Sequence, residues 1–159
     1  MREAAPPASA GRAAHTILAF DFGLRRIGIA VGDTLTATAA PRPAAAMLPR
    51  GPDWAAIVRE VRAAQPRLLV VGVPYNADGT PGTLARSARR FGAELHERFA
   101  LPVEHLDEHG SSIEASAALK HNRARGVRRR RVGHADVDSA AAAVILERWL
   151  AGERAQRSI

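Results

Sequence analysis

The chain has 159 residues, no cysteine, and 23 Lys plus Arg against 16 Asp plus Glu, which gives a formal net charge of +7. That length suits one domain that buries a core without covalent staples. The lack of cysteine excludes disulfides, thiolate zinc sites and cysteine nucleophiles, and it favours a reducing, cytoplasmic location. No apolar run approaches the ~20 residues that span a bilayer, so no membrane partner is expected.

The N-terminal residues 1–15 are rich in alanine and proline and contain no continuous apolar segment. This composition predicts a disordered tail rather than a signal peptide. We expect a single domain over residues 16–152 and a short C-terminal tail over 153–159.

The first half of the chain predicts a sheet with one helix. Residues 17–21 and 27–33 are short apolar runs whose link is short enough for a hairpin. Residues 34–47 are broken by Pro41 and Pro43, which favours an edge strand. Asp53 has the position of an N-cap for a helix that ends at Gln65 and Pro66.

Alternating strands and helices follow. Residues 68–73 are uniformly apolar, as in a central strand covered on both faces. A turn-rich segment over 74–82 leads to a helix with apolar residues at three- and four-residue steps. A strand from 103 runs into Asp107 and Glu108, and Ser111 with Glu114 forms a capping box. A final helix is expected to start near residues 136–138 and to stop at Gly152. This order predicts an α/β fold with a mixed sheet and helices on both faces.

Residues 120–131 hold seven basic side chains and no acidic one. Such a block is either a solvated loop without a partner or a surface that touches nucleic acid. Aromatic residues make up only 4% of the chain, which argues against a base-stacking platform. The basic residues are Lys120, Arg123, Arg125, Arg128, Arg129, Arg130 and Arg131.

Three acids fall at the ends of predicted elements. Asp21 ends the first strand, Glu108 ends the last, and Asp138 lies in the first turn of the final helix. Ligand sites of open α/β sheets lie at such strand ends, and carboxylates without cysteine suit Mg²⁺ or Mn²⁺. The alternative is that Asp21 only ends a strand and that Asp138 only stabilises the helix dipole.

The histidines and serines give weaker signals. His109 and His134 lie near the acids in sequence, although plain solvent exposure explains them as well. Ser111, Ser112 and Ser139 have no convincing base partner, and we assign them to helix capping.

Four motifs occur in one order along the chain: ILAFDFG at 17–23 with RRIGIAVG at 25–32, VVGVPYNADGT at 70–80, LDEHGSSIEA at 106–115, and VDSAAA at 137–142. With these motifs the chain resembles the YqgF family. Members of that family are bacterial RNase H-like proteins related to the Holliday junction resolvase RuvC, and they are described as pre-16S rRNA nucleases.

The resemblance implies an RNase H-like fold with a five-stranded mixed sheet and helices on both faces. It also implies a divalent-metal nuclease that matures the 5′ end of precursor 16S rRNA in ribosome biogenesis. The catalytic and metal-binding acids would be Asp21, Glu108 and Asp138. The expected nucleic-acid contacts are Arg25, Arg26, Asn76, Thr80, Arg123, Arg125, Arg128, Arg129, Arg130 and Arg131.

One departure from the family pattern lies beside the second acid. The family usually has an arginine and then an apolar residue after Asp-Glu, whereas this chain has His109 and Gly110. If that arginine contacts phosphate, His109 weakens the contact and makes it pH-dependent.

Two other functions fit the same fold. One is resolution of branched DNA in the manner of RuvC, which ranks lower because resolvase sites use four acids and three are matched here. The other is a non-catalytic RNA-binding assembly or transcription factor. Preference for a four-way junction would favour the first, and RNA binding without metal binding would favour the second. We expect a monomer or a weak homodimer.

Overall fold

The computed structural model describes residues 15–74, 76, 78–108 and 134–157, with side chains of the last range described for 139–152. Residues 1–14 of the predicted N-terminal tail, the helix expected from Ser111 and the basic block at 120–131 lie outside the described residues.

The described strands form one mixed sheet. The strands are β1 (Thr16–Phe22), β2 (Arg26–Asp33), β3 (Thr38–Leu48), β4 (Gly51–Pro52), β5 (Leu68–Pro74) and β6 (Val103–Glu108). Their order is β4-β3-β2-β1-β5-β6. β1 pairs in parallel with β5, and β5 with β6, whereas β1 to β4 are antiparallel neighbours. The predicted count of five strands is corrected to six, because Gly51 and Pro52 pair with the end of β3.

Three described helices cover the two faces of the sheet: α1 (Trp54–Ala64), α2 (Thr83–Phe99) and α3 (His134–Arg157). α1 and α2 pack on one face, where Phe20 and Phe91 lie in a common core. α3 packs on the other face, where Ile17 and Ile145 belong to a second core. The predicted helices on both faces are therefore confirmed. None of the helices within the described ranges is long and apolar enough to cross a membrane.

A bulge explains how β3 tolerates Pro43. Ile27 pairs with Ala45 but Ile29 pairs with Arg42, so β3 carries one extra residue across this step. Pro43 lies within that step, where the missing N–H of proline costs no ladder hydrogen bond. Most of β3 has no outer neighbour among the described residues, since β4 pairs only with its last two residues. The predicted edge strand is confirmed.

Helix ends were predictable where a side chain caps the backbone. Asp53 accepts a hydrogen bond from the amide of Ala56 at 3.3 Å and caps the start of α1, as predicted.

The predicted stop at Gly152 is wrong, because α3 continues to Arg157. An exposed glycine inside a helix costs only about 1 kcal/mol relative to alanine, which the rest of a long helix can absorb.

His105 on β6 packs against α2. A Cβ placed at Gly92 would overlap Nε2 of His105, so the glycine makes room for the ring. Burial lowers the pKa of His105, and the charge of Arg89 lowers it further. The folded state therefore favours the neutral imidazole.

We expect His105 to make the fold less stable at mildly acidic pH. A histidine whose pKa is lower in the folded state contributes stability that is complete above its unfolded pKa of ~6.5 and is lost as the pH falls below that value. Urea unfolding at pH 7.5 and pH 5.5 should show a smaller loss of unfolding free energy for His105→Gln than for the wild type. An equal loss in both proteins would contradict this role for His105.

Candidate metal centre at the carboxyl ends of β1 and β6

Asp21 lies at the carboxyl end of β1, on the face of the sheet that α3 covers. Side chains alternate along a strand, and Ile17 and Ala19 on the same face belong to the α3-side core. The backbone neighbours of Asp21 are Gly28 on β2 and Gly72 on β5. Both neighbours are glycines, so neither places a side chain of its own beside this aspartate.

Glu108 ends β6 two strands away and reaches back towards Asp21. Its side chain is only 5% exposed. Gly72 pairs with both Asp21 and Leu106, which places it between β1 and β6. A Cβ at Gly72 would lie 2.6 Å from Oε2 of Glu108, so the carboxylate rests directly above this glycine. The structure thus brings Glu108 to the strand next to Asp21.

The carboxylates of Asp21 and Glu108 are donors that fit a hard divalent cation. No hydrogen bond or ion pair to the Glu108 carboxylate occurs within the described part of the chain. A buried carboxylate without a partner is costly, and a cation would remove that cost. Carboxylate oxygens are the ligands that Mg²⁺ and Mn²⁺ prefer. The described side chains include no group of three or more His, Cys, Asp or Glu able to hold a metal ion.

Ser139 ties the start of α3 to the strand beside Asp21. Its buried hydroxyl accepts a hydrogen bond from the amide of Ile29 at 3.4 Å and donates one to the carbonyl of Arg42 at 2.5 Å. Ile29 follows Gly28, the direct neighbour of Asp21. The predicted capping role of Ser139 is wrong, because α3 begins five residues earlier and the hydroxyl bridges the bulge between β2 and β3. The side chain of Asp138 lies outside the described atoms.

The loop after β5 lies at the same edge of the sheet as the two acids. Asn76 donates from Nδ2 to the hydroxyl of Thr80 at 3.0 Å, and Thr80 donates to Asp78 from both its hydroxyl and its amide. These bonds, the hydroxyl contact first, lower the pKa of Asp78. Asn76 and Thr80 therefore hold each other in a tight exposed turn, and their contact with nucleic acid stays a prediction.

The predicted arginines at the β1–β2 hairpin also border the acids. Arg25 is exposed, and its carbonyl accepts a hydrogen bond from the amide of Met47 at 2.8 Å. Arg26 begins β2. A Cβ at Gly23 would lie 2.6 Å from the Arg26 carbonyl oxygen, so the turn needs a glycine there. The tight turn keeps both arginines close to the end of β1.

Two features of this edge escaped the sequence analysis. One is Gly72. The sequence shows it only as a single glycine inside an apolar strand, a pattern that often indicates close approach of another group. The other is an exposed basic surface on the first half of α2, formed by Arg86, Arg89 and Arg90. No acidic residue lies between Thr83 and Arg90. Its positive charge was missed in the sequence analysis, which considered only the apolar residues of this helix.

Known proteins resemble this chain in sequence over most of its length. A family model described as RuvX, Holliday junction resolvase, matches residues 15–152. The chain belongs to the RuvX family. The resemblance of its motifs to the YqgF family is thereby confirmed, since RuvX is that family.

Two curated relatives carry the name "Putative pre-16S rRNA nuclease". The protein of Xanthomonas euvesicatoria pv. vesicatoria (strain 85-10) is 45% identical over 146 residues, which are 92% of this chain and 94% of the relative. The protein of Xanthomonas axonopodis pv. citri (strain 306) is 44% identical over 146 residues, with the same shares of both chains. Both relatives thus match the chain over nearly their whole length.

Solved structures show the same fold. RuvC of Thermus thermophilus in complex with a Holliday junction substrate superposes with a TM-score of 0.52 at 17% identity, covering 88% of this chain and 96% of that one. A second structure of Thermus thermophilus RuvC gives a TM-score of 0.50 at 14% identity, with the same coverage. The predicted RNase H-like fold is confirmed.

Removing the charge of Glu108 should separate stability from metal binding. Glu108→Gln keeps the volume of the side chain, and we expect its melting temperature without metal to equal or exceed that of the wild type, because the variant removes a buried charge that has no partner among the described residues. Mn²⁺ at about 100 times its Kd should add ~2.7 kcal/mol to the wild type and little to the variant. Thermal unfolding with and without Mn²⁺ measures both. A variant that Mn²⁺ stabilises as strongly as the wild type would remove Glu108 from the centre.

Proposed function

We propose that this protein is a metal-dependent nuclease that hydrolyses phosphodiester bonds of precursor 16S rRNA and matures its 5′ end. The observation that carries the proposal is the buried Glu108 carboxylate, held above Gly72 beside Asp21 at the open edge of the sheet. The relatives named for this activity support the choice of substrate, since they match the chain over more than nine-tenths of their length.

We assign Asp138 as the third acid of the centre. Ser139, the next residue, is hydrogen-bonded to the amide of Ile29, one residue from the neighbour of Asp21. The backbone at position 138 is therefore held close to the end of β1. Position 138 also precedes Ile145 by seven residues, two helical turns, and Ile145 packs against Gly72. This placement supports a site made from β1, β6 and α3.

The three acids share one task in the proposed reaction. Asp21, Glu108 and Asp138 would hold Mg²⁺ or Mn²⁺, and the apolar core beneath α3 lies on the same face of the sheet. When bound, the metal supplies a Lewis acid for the scissile phosphate and lowers the pKa of the attacking water. Arg25 and Arg26 in the hairpin would position the phosphodiester backbone above the acids.

A second candidate is cleavage of branched DNA. The family description names Holliday junction resolvases, and the superposed RuvC structure holds such a junction. Both substrates present the same phosphodiester to the acids, so the choice depends on what the surrounding basic surface accepts. Competition between a four-way DNA junction and precursor 16S rRNA for the same protein distinguishes the two. Binding of RNA without binding of Mn²⁺ would instead favour a purely RNA-binding role.

Loss of charge at Asp21 should abolish cleavage. Asp21→Asn keeps the size of the side chain and removes a metal ligand that should be worth at least ~3 kcal/mol in the transition state, roughly a hundredfold in rate. We expect folding and RNA binding to persist. Cleavage of a precursor 16S rRNA transcript with and without Mn²⁺, followed on a sequencing gel, measures the effect. Unchanged cleavage by Asp21→Asn would refute the nuclease assignment.

The basic block should supply sequence-independent affinity. Replacing Arg128 to Arg131 by alanine removes up to four phosphate contacts, and each lost contact should flatten the slope of log affinity against log salt by ~0.7–0.9. Fluorescence anisotropy of labelled RNA across a salt series measures that slope. The same assay on Arg86→Ala/Arg90→Ala tests the surface of α2.

A matched control lies at the opposite edge of the sheet. Arg62 and Arg67 are also exposed, but they flank the link from α1 to the amino end of β5. Arg62→Ala/Arg67→Ala removes two charges and should leave the slope unchanged. An equal effect at both edges would mean that only the net charge matters, not the surface beside the acids.

A further inference from the structure

We infer that Gly72 is a positioning residue for the metal centre, because its missing side chain leaves the space in which the Glu108 carboxylate turns towards Asp21. This inference rests on the proposed function, in which both acids bind metal. Gly72 itself offers no ligand and acts only through Glu108.

Backbone conformation does not explain a glycine at this position. The described glycines with positive φ are Gly51 and Gly79, so Gly72 adopts a conformation open to any residue. It lies inside a buried strand, and all the remaining residues from Leu68 to Val73 are leucine or valine. Glycine in a strand interior lowers stability, since it packs nothing and loses more chain entropy on folding. Stability alone would therefore favour a larger residue here.

The space above Gly72 is filled by two other groups. A Cβ at this position would lie 2.6 Å from Oε2 of Glu108 and would overlap Cδ1 of Ile145. Both atoms are the ends of flexible side chains, so the fold can absorb a methyl group if they move aside. Asp21 lies on the strand next to Gly72, at a strand spacing of ~4.8 Å. If the Glu108 carboxylate moves away from Gly72, it therefore also moves away from Asp21.

Gly72→Ala should weaken metal binding much more than it weakens the fold. Displacing a group that orients a metal ligand typically costs 10–100-fold in affinity. We expect the Kd for Mn²⁺, measured by isothermal titration calorimetry, to rise at least tenfold while the protein still unfolds cooperatively. A Kd within twofold of the wild type would overturn the inference.

Gly92→Ala is the matched control. The methyl group would displace another β6 side chain, His105, on the opposite face of the sheet. It imposes the same kind of crowding on the same strand without touching Glu108. We expect an unchanged Kd for Mn²⁺. If Gly92→Ala weakens Mn²⁺ binding as much as Gly72→Ala does, general crowding of β6 is the cause and the inference fails.

A double variant separates the two contacts of the new methyl group. Gly72→Ala/Ile145→Val removes Cδ1 of Ile145 and so relieves the core, but it leaves the conflict with Glu108. We expect the melting temperature to recover and Mn²⁺ binding to stay weak. Recovery of Mn²⁺ binding together with stability would show that core packing was responsible. This variant also serves if Gly72→Ala alone does not fold.

Failure of this inference can be told apart from failure of the proposed function. If the wild type binds no Mn²⁺, or if Asp21→Asn binds it equally well, the metal centre itself is refuted. If Asp21→Asn loses Mn²⁺ and Gly72→Ala keeps it, the centre stands and only the role of Gly72 is overturned.

Discussion

The parallel pairing of β1 with β5 is the constraint on which the rest of the molecule depends. These two strands lie in the middle of the sheet, and helices cover them on both sides. Burying their apolar side chains supplies much of the stability, at roughly 25 cal/mol per Å² removed from water. A polar side chain of such a strand can reach the solvent only at the end of the strand. The pairing register therefore places Asp21 beside Gly72 and Glu108 beside Pro74, from where the Glu108 side chain reaches Gly72.

At this edge of the sheet, two features lower the stability of the fold, and both belong to the proposed metal centre. Glu108 is a carboxylate buried without a charged partner among the described residues, and Gly72 is a glycine in a buried strand of leucines and valines. Either feature alone would be a defect, because desolvation and lost packing both destabilise the fold. Together they place the Glu108 carboxylate over Gly72, on the strand next to Asp21. Local costs of this kind are common where a protein must bind or react.

Features determined by neighbouring residues were predictable, and features determined by distant contacts were not. The cap at Asp53 and the apolar run of β5 follow from local sequence, as does the placement of Glu108 at a strand end. Ser139 was misassigned because its partners lie 110 and 97 residues away in the chain. β4 was missed because a two-residue strand has no periodicity. The approach of Glu108 to Gly72 depends on the order of strands in the sheet, which no single motif encodes.

The two tryptophans of the chain lie on opposite faces of the sheet. Trp54 stacks on Phe91 at 5.6 Å, and the guanidinium of Arg98 sits 4.0 Å from its ring centre. Trp149 on α3 donates to Glu104 at 2.8 Å and packs against the other core. The molecule thus carries one intrinsic fluorophore in each layer. Single replacements by phenylalanine would let emission report separately on the docking of α3 and on the opposite helical layer.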